Sequence, residues 1–196
     1  LLSNPCGRFN CPTGYGKSKL IAMTAKLLPK ARIDVVSKSV SVVRDRIYPE
    51  LCSLLPSVGI VGGGKSKKGC RVMVYTVGSM HHSPGDADIL IGDECHEMAA
   101  DQAASKFGKW DYSRNYGMSA SHDMRLDNKD LRVEGIFGPI IYDMTYEEAK
   151  DHGMVVPIKI IWRPVVLNYD ICGGAQDVEK MKIGIWTNDY RNSLIA

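Results

Sequence analysis

Residues 11–18 read Cys-Pro-Thr-Gly-Tyr-Gly-Lys-Ser, between a short apolar segment and a helical pattern of apolar residues. The two glycines allow the backbone to wrap tightly and to point its N–H groups inward, which forms a concave site for an anion. Lys17 would reach the β- and γ-phosphates of a nucleotide, and the hydroxyl of Ser18 would ligate Mg²⁺. Cys11 replaces the first glycine of the strict pattern, and an ordinary turn before a helix is the alternative. The residues predicted to bind a nucleotide are Pro12, Thr13, Gly14, Tyr15, Gly16, Lys17 and Ser18.

A second segment, Gly59–Ser66, matches the strict Gly-x-x-x-x-Gly-Lys-Ser pattern. A phosphate loop must lead into a helix, because the free N–H groups and the positive end of that helix contact the phosphates. Here Lys67, Lys68 and Gly69 lead directly into a strand-like run. We therefore predict a glycine-rich turn between two strands at this position.

Two acids, Asp93 and Glu94, directly follow the apolar run Ile-Leu-Ile-Gly. In open α/β folds, ligands bind at the carboxyl ends of the parallel strands. Asp93 suits a Mg²⁺ ligand, usually through water, and Glu94 suits the group that orients and deprotonates an attacking water. A helix N-cap would explain the pair better in isolation. The upstream loop favours nucleotide hydrolysis, because the two segments together supply a phosphate cradle, a metal ligand and a base.

The elements that must position these residues alternate between strand-like and helical patterns. Helical periodicity covers Lys17–Leu28 and Val40–Leu55, and Arg44 and Arg46 are interpreted as part of a solvated face of the second helix. Strand-like runs occupy residues 8–12, 31–37, 58–61, 71–77, 87–94 and 115–121. This order predicts an α/β fold with a mainly parallel sheet flanked by helices. The runs are apolar throughout, as expected for strands that are covered on both faces.

The composition narrows the functional classes without choosing one. The 196 residues carry a formal net charge of +3, which permits a nucleic-acid partner but does not argue for one. No apolar run has the length of a membrane span, so no membrane partner is expected. The six cysteines have no zinc-binding spacing. They favour reduced, mostly buried thiols in a cytoplasmic protein, or a nuclear one if the source is a eukaryote.

Taken in order, these segments resemble the motifs of superfamily 2 helicases with DEAH- or DECH-type boxes. Residues 11–18 and the Asp-Glu-Cys-His sequence at 93–96 are similar to motifs I and II, and Gly117–Ser121 is similar to motif III. Val-Val-Ser-Lys-Ser at 35–39 resembles motif Ia, and residues 74–80 resemble motif Ib. The continuation through Pro157 resembles that of repair helicases, phage recombination helicases and restriction-system translocases. The resemblance implies the first RecA-like domain of a DNA helicase or translocase that uses ATP and Mg²⁺.

The resemblance also implies roles for individual residues. It implies catalytic roles for Lys17, Asp93, Glu94 and His96, with Ser18 and Asp93 as the metal ligands. Coupling of the nucleotide state to strand movement would involve His96 and motif III, namely Ser119, Ala120 and Ser121. The sugar-phosphate backbone of a nucleic acid would contact Ser37, Lys38, Thr76, Gly78 and Ser79. DNA is preferred over RNA only because the relatives that the chain resembles act on DNA.

The expected domain organisation is a RecA-like domain over residues 1–167, then a linker and the start of a second RecA-like domain over 168–196. That second domain is an expected partner because it carries an arginine finger, so we expect the isolated chain to hydrolyse ATP poorly. Two alternatives stay open. The chain could belong to the motor subunit of a restriction system, or it could be a nucleic-acid-binding module that does not hydrolyse ATP. A metabolic P-loop kinase is the least favoured reading, because motifs Ia, Ib and III would then be coincidental.

Overall fold

The computed structural model describes residues 3–99, 111–120, 130–161, 173–174 and 176–193. Within them, eight strands form one sheet. The strands are β1 (Cys6–Asn10), β2 (Ile33–Ser37), β3 (Val58–Gly62), β4 (Lys65–Lys67), β5 (Val72–Thr76), β6 (Ile89–Asp93), β7 (Arg114–Ser119) and β8 (Ile140–Asp143). All six predicted strand-like runs contain a strand, although Ser121, the last residue of the sixth run, lies outside the described residues.

The strands are arranged in the order β4-β3-β5-β2-β6-β7-β1-β8. Every neighbouring pair is parallel except β3 and β4. Gly63 and Gly64 connect these two strands with positive φ angles of 59° and 78°, so the Gly59–Ser66 segment is a hairpin at the edge of the sheet. The predictions of a mainly parallel α/β sheet and of a turn rather than a phosphate loop at this segment are both confirmed.

The described residues also contain six α-helices, two 3₁₀-helices and two π-helices. The α-helices are α1 (Lys17–Leu27), α2 (Tyr48–Leu54), α3 (Asp130–Phe137), α4 (Tyr146–Asp151), α5 (Asp177–Met181) and α6 (Asp189–Ser193). Short 3₁₀-helices cover Val77–His82 and Cys95–Ala99, and π-helices cover Val42–Ile47 and Lys182–Trp186.

The sheet has an apolar core on each face. Val35 and Val36 are both 0% exposed, and they belong to different clusters because successive side chains of a strand point to opposite faces. The cluster around Val35 includes Ile21 of α1 and Leu51 of α2, and the cluster around Val36 includes Phe137 of α3. Burial on both faces explains why the strands are apolar throughout rather than alternating.

The helix predicted over Val40–Leu55 is not uniform. Val42–Ile47 is a π-helix, and α2 follows it with Pro49 in its first turn. Proline has no N–H to donate and its ring collides with the carbonyl four residues earlier, so the chain takes a wider turn before it. Periodicity alone predicts the helix but not this change of geometry.

The chain divides into two compact units, Leu1–Pro157 and Ile158–Ala196. The boundary predicted at residue 167 lies outside the described residues and stays a prediction. No helix in the described ranges combines the length and apolarity required to cross a membrane. The five described cysteines are free thiols, and Cys11, Cys70 and Cys95 are buried.

Candidate functional site

The predicted motifs meet at one edge of the sheet. Ser37, the last residue of β2, pairs in register with Thr76 of β5 and with Asp93 of β6. Asp93 pairs with Met118, and Asn10 at the end of β1 pairs with Ser119. The carboxyl ends of these five strands are therefore level with one another. Each of them leads into a segment that the sequence singled out.

The loop between β1 and α1 has the backbone geometry that its glycines predict. Gly14 and Gly16 have φ angles of 91° and 97°, which a residue with a side chain adopts only with strain. Gly16 is the N-cap of α1, and its carbonyl accepts a hydrogen bond from the N–H of Lys19 at 2.9 Å. The first turn of α1 has no acidic residue and no side-chain cap. The positive end of α1 therefore lies at the loop, where it favours an anion.

Tyr142 of β8 supports this loop from the side. Its hydroxyl lies 2.9 Å from the hydroxyl of Tyr15, and the two rings are 6.2 Å apart. The hydrogen bond with Tyr15 is the main reason that the pKa of Tyr142 rises to about 12. Sequence analysis missed Tyr142, because only the sheet order, in which β8 neighbours β1, brings the two tyrosines together.

Lys17 and Glu94 form an ion pair between the loop and the acidic motif. The ammonium of Lys17 lies 2.9 Å from Oε1 of Glu94, and the side chain of Lys17 is only 3% exposed. A charge that is this deeply buried requires a partner. Glu94 supplies it, and 27% of its own side chain stays exposed to solvent.

Glu94 is the one non-glycine residue in the described ranges with a positive φ, at 51°. This conformation is uncommon for residues with a side chain, and such strain is concentrated at functional sites. The carboxylate of Glu94 also lies 3.6 Å from Nδ1 of His96. The backbone turn after β6 therefore brings the Glu94 carboxylate between Lys17 and His96.

Asp93 is buried beside this pair, with 3% of its surface exposed. Burial raises the pKa of its carboxyl group, and the positive charge of Lys17 opposes that rise. Arg46, in the π-helix before α2, also lowers the pKa of Asp93. The side chain of Arg46 is exposed, which confirms the predicted solvated face, and its charge acts on Asp93 from that position.

The residues at the edge fit a divalent cation that binds together with phosphate. Ser18 and Asp93 supply one hydroxyl and one carboxylate, both at least 95% buried. In the part of the chain that the structure describes, no three His, Cys, Asp or Glu side chains are grouped to hold a metal by themselves. Mg²⁺ prefers such a sparse protein contribution, because it keeps several waters and takes oxygen ligands from substrate phosphates.

Ser119 connects the acidic motif to the loop. Its hydroxyl lies 2.6 Å from Nδ1 of His96, and its carbonyl accepts a hydrogen bond from the N–H of Cys11 at 2.9 Å. Ser119 is 0% exposed, so both contacts are shielded from water. Motifs I, II and III are thus joined by hydrogen bonds. Ala120 follows β7 and is half-buried, and Ser121 lies outside the described residues.

The residues expected to contact nucleic acid divide into exposed and buried groups. Lys38 and Gly78 are exposed, whereas Ser37 is 0% exposed. The hydroxyls of Thr76 and Ser79 lie 2.9 Å apart, and the Ser79 hydroxyl also contacts the carbonyl of Val61. These two hydroxyls form a capping box for the 3₁₀-helix that starts at Val77.

No protein-family model and no curated protein matches the sequence. Among solved structures, the chain is similar to the UvsW helicase of bacteriophage T4, with 22% identity and a TM-score of 0.59 over 71% of this chain and 55% of that one. It is similar to the Hef helicase domain of Pyrococcus furiosus, with 18% identity and a TM-score of 0.57 over 75% of this chain and 37% of that one. A third similar structure is the Type ISP restriction-modification enzyme LlaGI in complex with a DNA substrate mimic. Its identity is 13% and its TM-score 0.54, over 78% of this chain and 19% of that one.

These similarities show the fold. It is the RecA-like fold that these helicase structures share, so the predicted fold class is confirmed. The chain spans about half the length of the UvsW helicase and less of the other two.

Proposed function

We propose that this chain is the ATP-binding RecA-like domain of a DNA helicase or translocase. The observation that carries the proposal is the meeting of Lys17, Glu94, His96 and Ser119 at one edge of a parallel sheet, joined by contacts of 2.6 to 3.6 Å. A helix N-terminus with no acid in its first turn opens onto the same edge. An anion-binding loop, a buried cation and a strained carboxylate suit phosphoryl transfer better than they suit a structural role.

In this proposal, the triphosphate of ATP binds to the loop and to the N-terminus of α1, and Lys17 turns from Glu94 to the β- and γ-phosphates. Ser18 and Asp93 would hold Mg²⁺, which would supply positive charge to stabilise the phosphates. Glu94, released from Lys17, orients the attacking water and accepts its proton as ADP departs. The release of Glu94 changes the contacts of the acidic motif, and the hydrogen bond between His96 and Ser119 then transmits this change to motif III.

DNA is the proposed polymer, because LlaGI, a structure of similar fold, was solved with a DNA substrate mimic. Lys38 and Gly78 are exposed at the ends of β2 and β5, and an ammonium and a backbone N–H bind phosphate without reading bases. Binding without sequence preference is therefore expected. A second RecA-like domain of the same protein is the proposed partner, and the whole motor's activity depends on it.

The first test is equilibrium binding of a fluorescent ATP analogue to the chain, with and without MgCl₂. Lys17→Ala should weaken binding at least tenfold, since it removes the buried cation that faces the phosphates. Lys19→Ala, an exposed lysine in the same helix, is the matched control and should bind like the wild type. Equal binding by the wild type and Lys17→Ala would refute the nucleotide site.

The second test is the rate of ATP hydrolysis by the protein that contains this chain and a second RecA-like domain, with single- and double-stranded DNA and RNA. Stimulation by DNA supports the motor. A rate of ATP hydrolysis that no nucleic acid changes would instead indicate a P-loop enzyme of another kind. Stimulation by duplex DNA without strand separation would favour the alternative that this is a motor fragment of a restriction system, to which LlaGI is similar in fold. Binding of DNA without hydrolysis would favour the binding module.

A further inference from the structure

The hydroxyl of Ser37 is buried without a hydrogen-bond partner. Ser37 is 0% exposed, and none of the residues that the structure describes donates to its Oγ or accepts from it. A buried hydroxyl in this state carries a desolvation cost that no hydrogen bond offsets. Buried polar groups are nearly always paired in folded proteins, so an exception at a functional edge indicates that a partner arrives with a ligand.

The position of Ser37 shows which other side chain such a ligand would also contact. Ser37 pairs in register with Asp93, and neighbouring strands of a sheet lie about 4.8 Å apart. Ile33 and Val35, which share the face of Ser37 by the two-residue repeat, belong to the same core cluster as Ile89 and Ile91, which share the face of Asp93. The side chains of Ser37 and Asp93 are therefore neighbours on the face that also carries α1.

Two other partners suit the hydroxyl less well than a single water does. Thr76, the register partner on the other side, already shares its hydroxyl with Ser79. A nucleic-acid phosphate is bulkier than a water and would need a wider opening at Ser37, which has no exposed surface in this structure. Lys38, the next residue, is exposed and serves that contact better.

We propose that Ser37 is a positioning residue of the metal site, and that its hydroxyl hydrogen-bonds a water of the Mg²⁺ hydration shell that Asp93 also binds. The inference rests on the proposed function, because it assigns a residue to the same site. Mg²⁺ keeps several of its waters in protein sites, and those waters need acceptors and donors around the one or two carboxylates that hold the ion. A neutral hydroxyl on the neighbouring strand supplies such a contact without adding charge.

The proposal predicts opposite effects of Ser37→Ala on stability and on metal affinity. Removing an unpaired hydroxyl removes its desolvation cost, so the nucleotide-free variant should unfold at the same temperature as the wild type or a higher one. The MgCl₂ concentration for half-maximal binding of a fluorescent ATP analogue should rise about two- to tenfold, the equivalent of one hydrogen bond. Binding of the analogue in EDTA should stay unchanged, because Ser37 does not face the phosphates.

Two further variants make the result specific. Ser37→Thr keeps a hydroxyl and should keep the Mg²⁺ requirement of the wild type, even where its extra methyl group lowers the unfolding temperature. Ser53→Ala removes an exposed hydroxyl that bonds the Glu50 carbonyl, and it should change neither quantity.

The outcomes separate this inference from the proposed function. A wild type whose nucleotide binding does not depend on Mg²⁺ would refute both. A wild type that depends on Mg²⁺, with the same requirement in Ser37→Ala, would refute the inference alone. A Ser37→Ala variant that is less stable and binds nucleotide more weakly even in EDTA would show that Ser37 serves packing, and would also overturn it.

Discussion

Lys17 and Glu94 form an ion pair, with 2.9 Å between the ammonium and Oε1 of the carboxylate. Both groups have other tasks in the proposed reaction, since Lys17 would contact phosphate and Glu94 would contact water. The ion pair supplies the partner that a buried cation requires. In the proposed reaction it would also keep the base occupied until a phosphate displaces it, so nucleotide binding and activation of Glu94 would be linked through a single contact.

Glu94→Gln should separate binding from hydrolysis. The variant loses the negative charge that competes with phosphate for Lys17, so it should bind the ATP analogue as tightly as the wild type or more tightly. Hydrolysis should fall by about 10² to 10⁴, the usual contribution of a general base. Equilibrium binding and the DNA-stimulated rate are measured on the same preparation. Glu97→Gln, a half-buried acid three residues further on, is the control and should change neither value.

The backbone conformation of Glu94 leads us to expect that glycine is more stabilising than alanine at position 94, which is the reverse of the usual order. Because its φ is 51°, Glu94→Gly should be more stable than Glu94→Ala by about 1 kcal/mol, as glycine adopts left-handed angles without strain. At most positions alanine is the more stable of the two. Chemical unfolding of both variants measures the difference. Finding alanine more stable than glycine would show that residue 94 relaxes out of the left-handed region.

The difference between the two acids of motif II also shows what sequence can predict. The spacing correctly predicted that Asp93 ends a strand at the carboxyl edge, because an apolar run before two acids is a local signal. The positive φ of Glu94 and its contact with Lys17 depend on how β6 lies relative to β1, two strands away in the sheet. No local sequence pattern specifies the position of β6 relative to β1.

The same difference between local signals and contacts of distant segments is found elsewhere in the fold. The glycines at 14 and 16 predicted a tightly wrapped loop, and the strand-like run after Gly69 predicted a turn rather than a phosphate loop at Gly59–Ser66. The short strand β4 of the hairpin was not predicted. The partnership of Tyr15 with Tyr142 could not be predicted, since it joins segments that only the sheet order brings together. Ser37 ends β2, as the strand-like run predicted, but its burial depends on packing from both sides of β2.

The buried carboxyl group of Asp34 should make the stability of the protein fall as pH rises. Asp34, the second residue of β2, is 3% exposed, and burial raises the pKa of its carboxyl group from 3.8 to about 6. Hydrogen bonds from Ser83 and Tyr112 oppose the rise, Asp86 adds to it, and Arg32 opposes it. Because the folded state holds the proton more tightly than the unfolded state, this contribution to stability is complete below pH 3.8 and is lost as pH rises to about 6.

Asp34→Asn should therefore flatten the pH dependence of the free energy of unfolding between pH 4 and 6. It should also stabilise the protein at pH 7, where the wild type carries a buried charge, by up to about 3 kcal/mol for a shift of two pKa units. The amide oxygen can still accept from Ser83 and Tyr112, so the hydrogen bonds survive. Denaturant unfolding at several pH values measures both effects, with the exposed Asp151→Asn as the control. An unchanged slope in Asp34→Asn would mean that another group titrates.

His96 and Ser119 should act as one unit in the coupling of DNA binding to hydrolysis. Their side chains are 2.6 Å apart, and the Ser119 carbonyl is bonded to the phosphate loop through the N–H of Cys11. Removing either side chain breaks the same hydrogen bond, so His96→Ala and Ser119→Ala should each lower the DNA stimulation of ATP hydrolysis by a similar factor. The double variant should be little worse than either single one, because effects of contacting residues are not additive.

The measurement is a double-mutant cycle on the DNA-stimulated rate, with binding of the ATP analogue followed in parallel. Binding should stay within about twofold of the wild type, since neither side chain belongs to the loop that receives the phosphates. Cys11 supplies only its backbone N–H to this chain of contacts, so Cys11→Ala should leave the stimulation intact and serves as the control. Additive losses in the cycle would mean that His96 and Ser119 act through separate routes, and the hydrogen bond between them would then be structural alone.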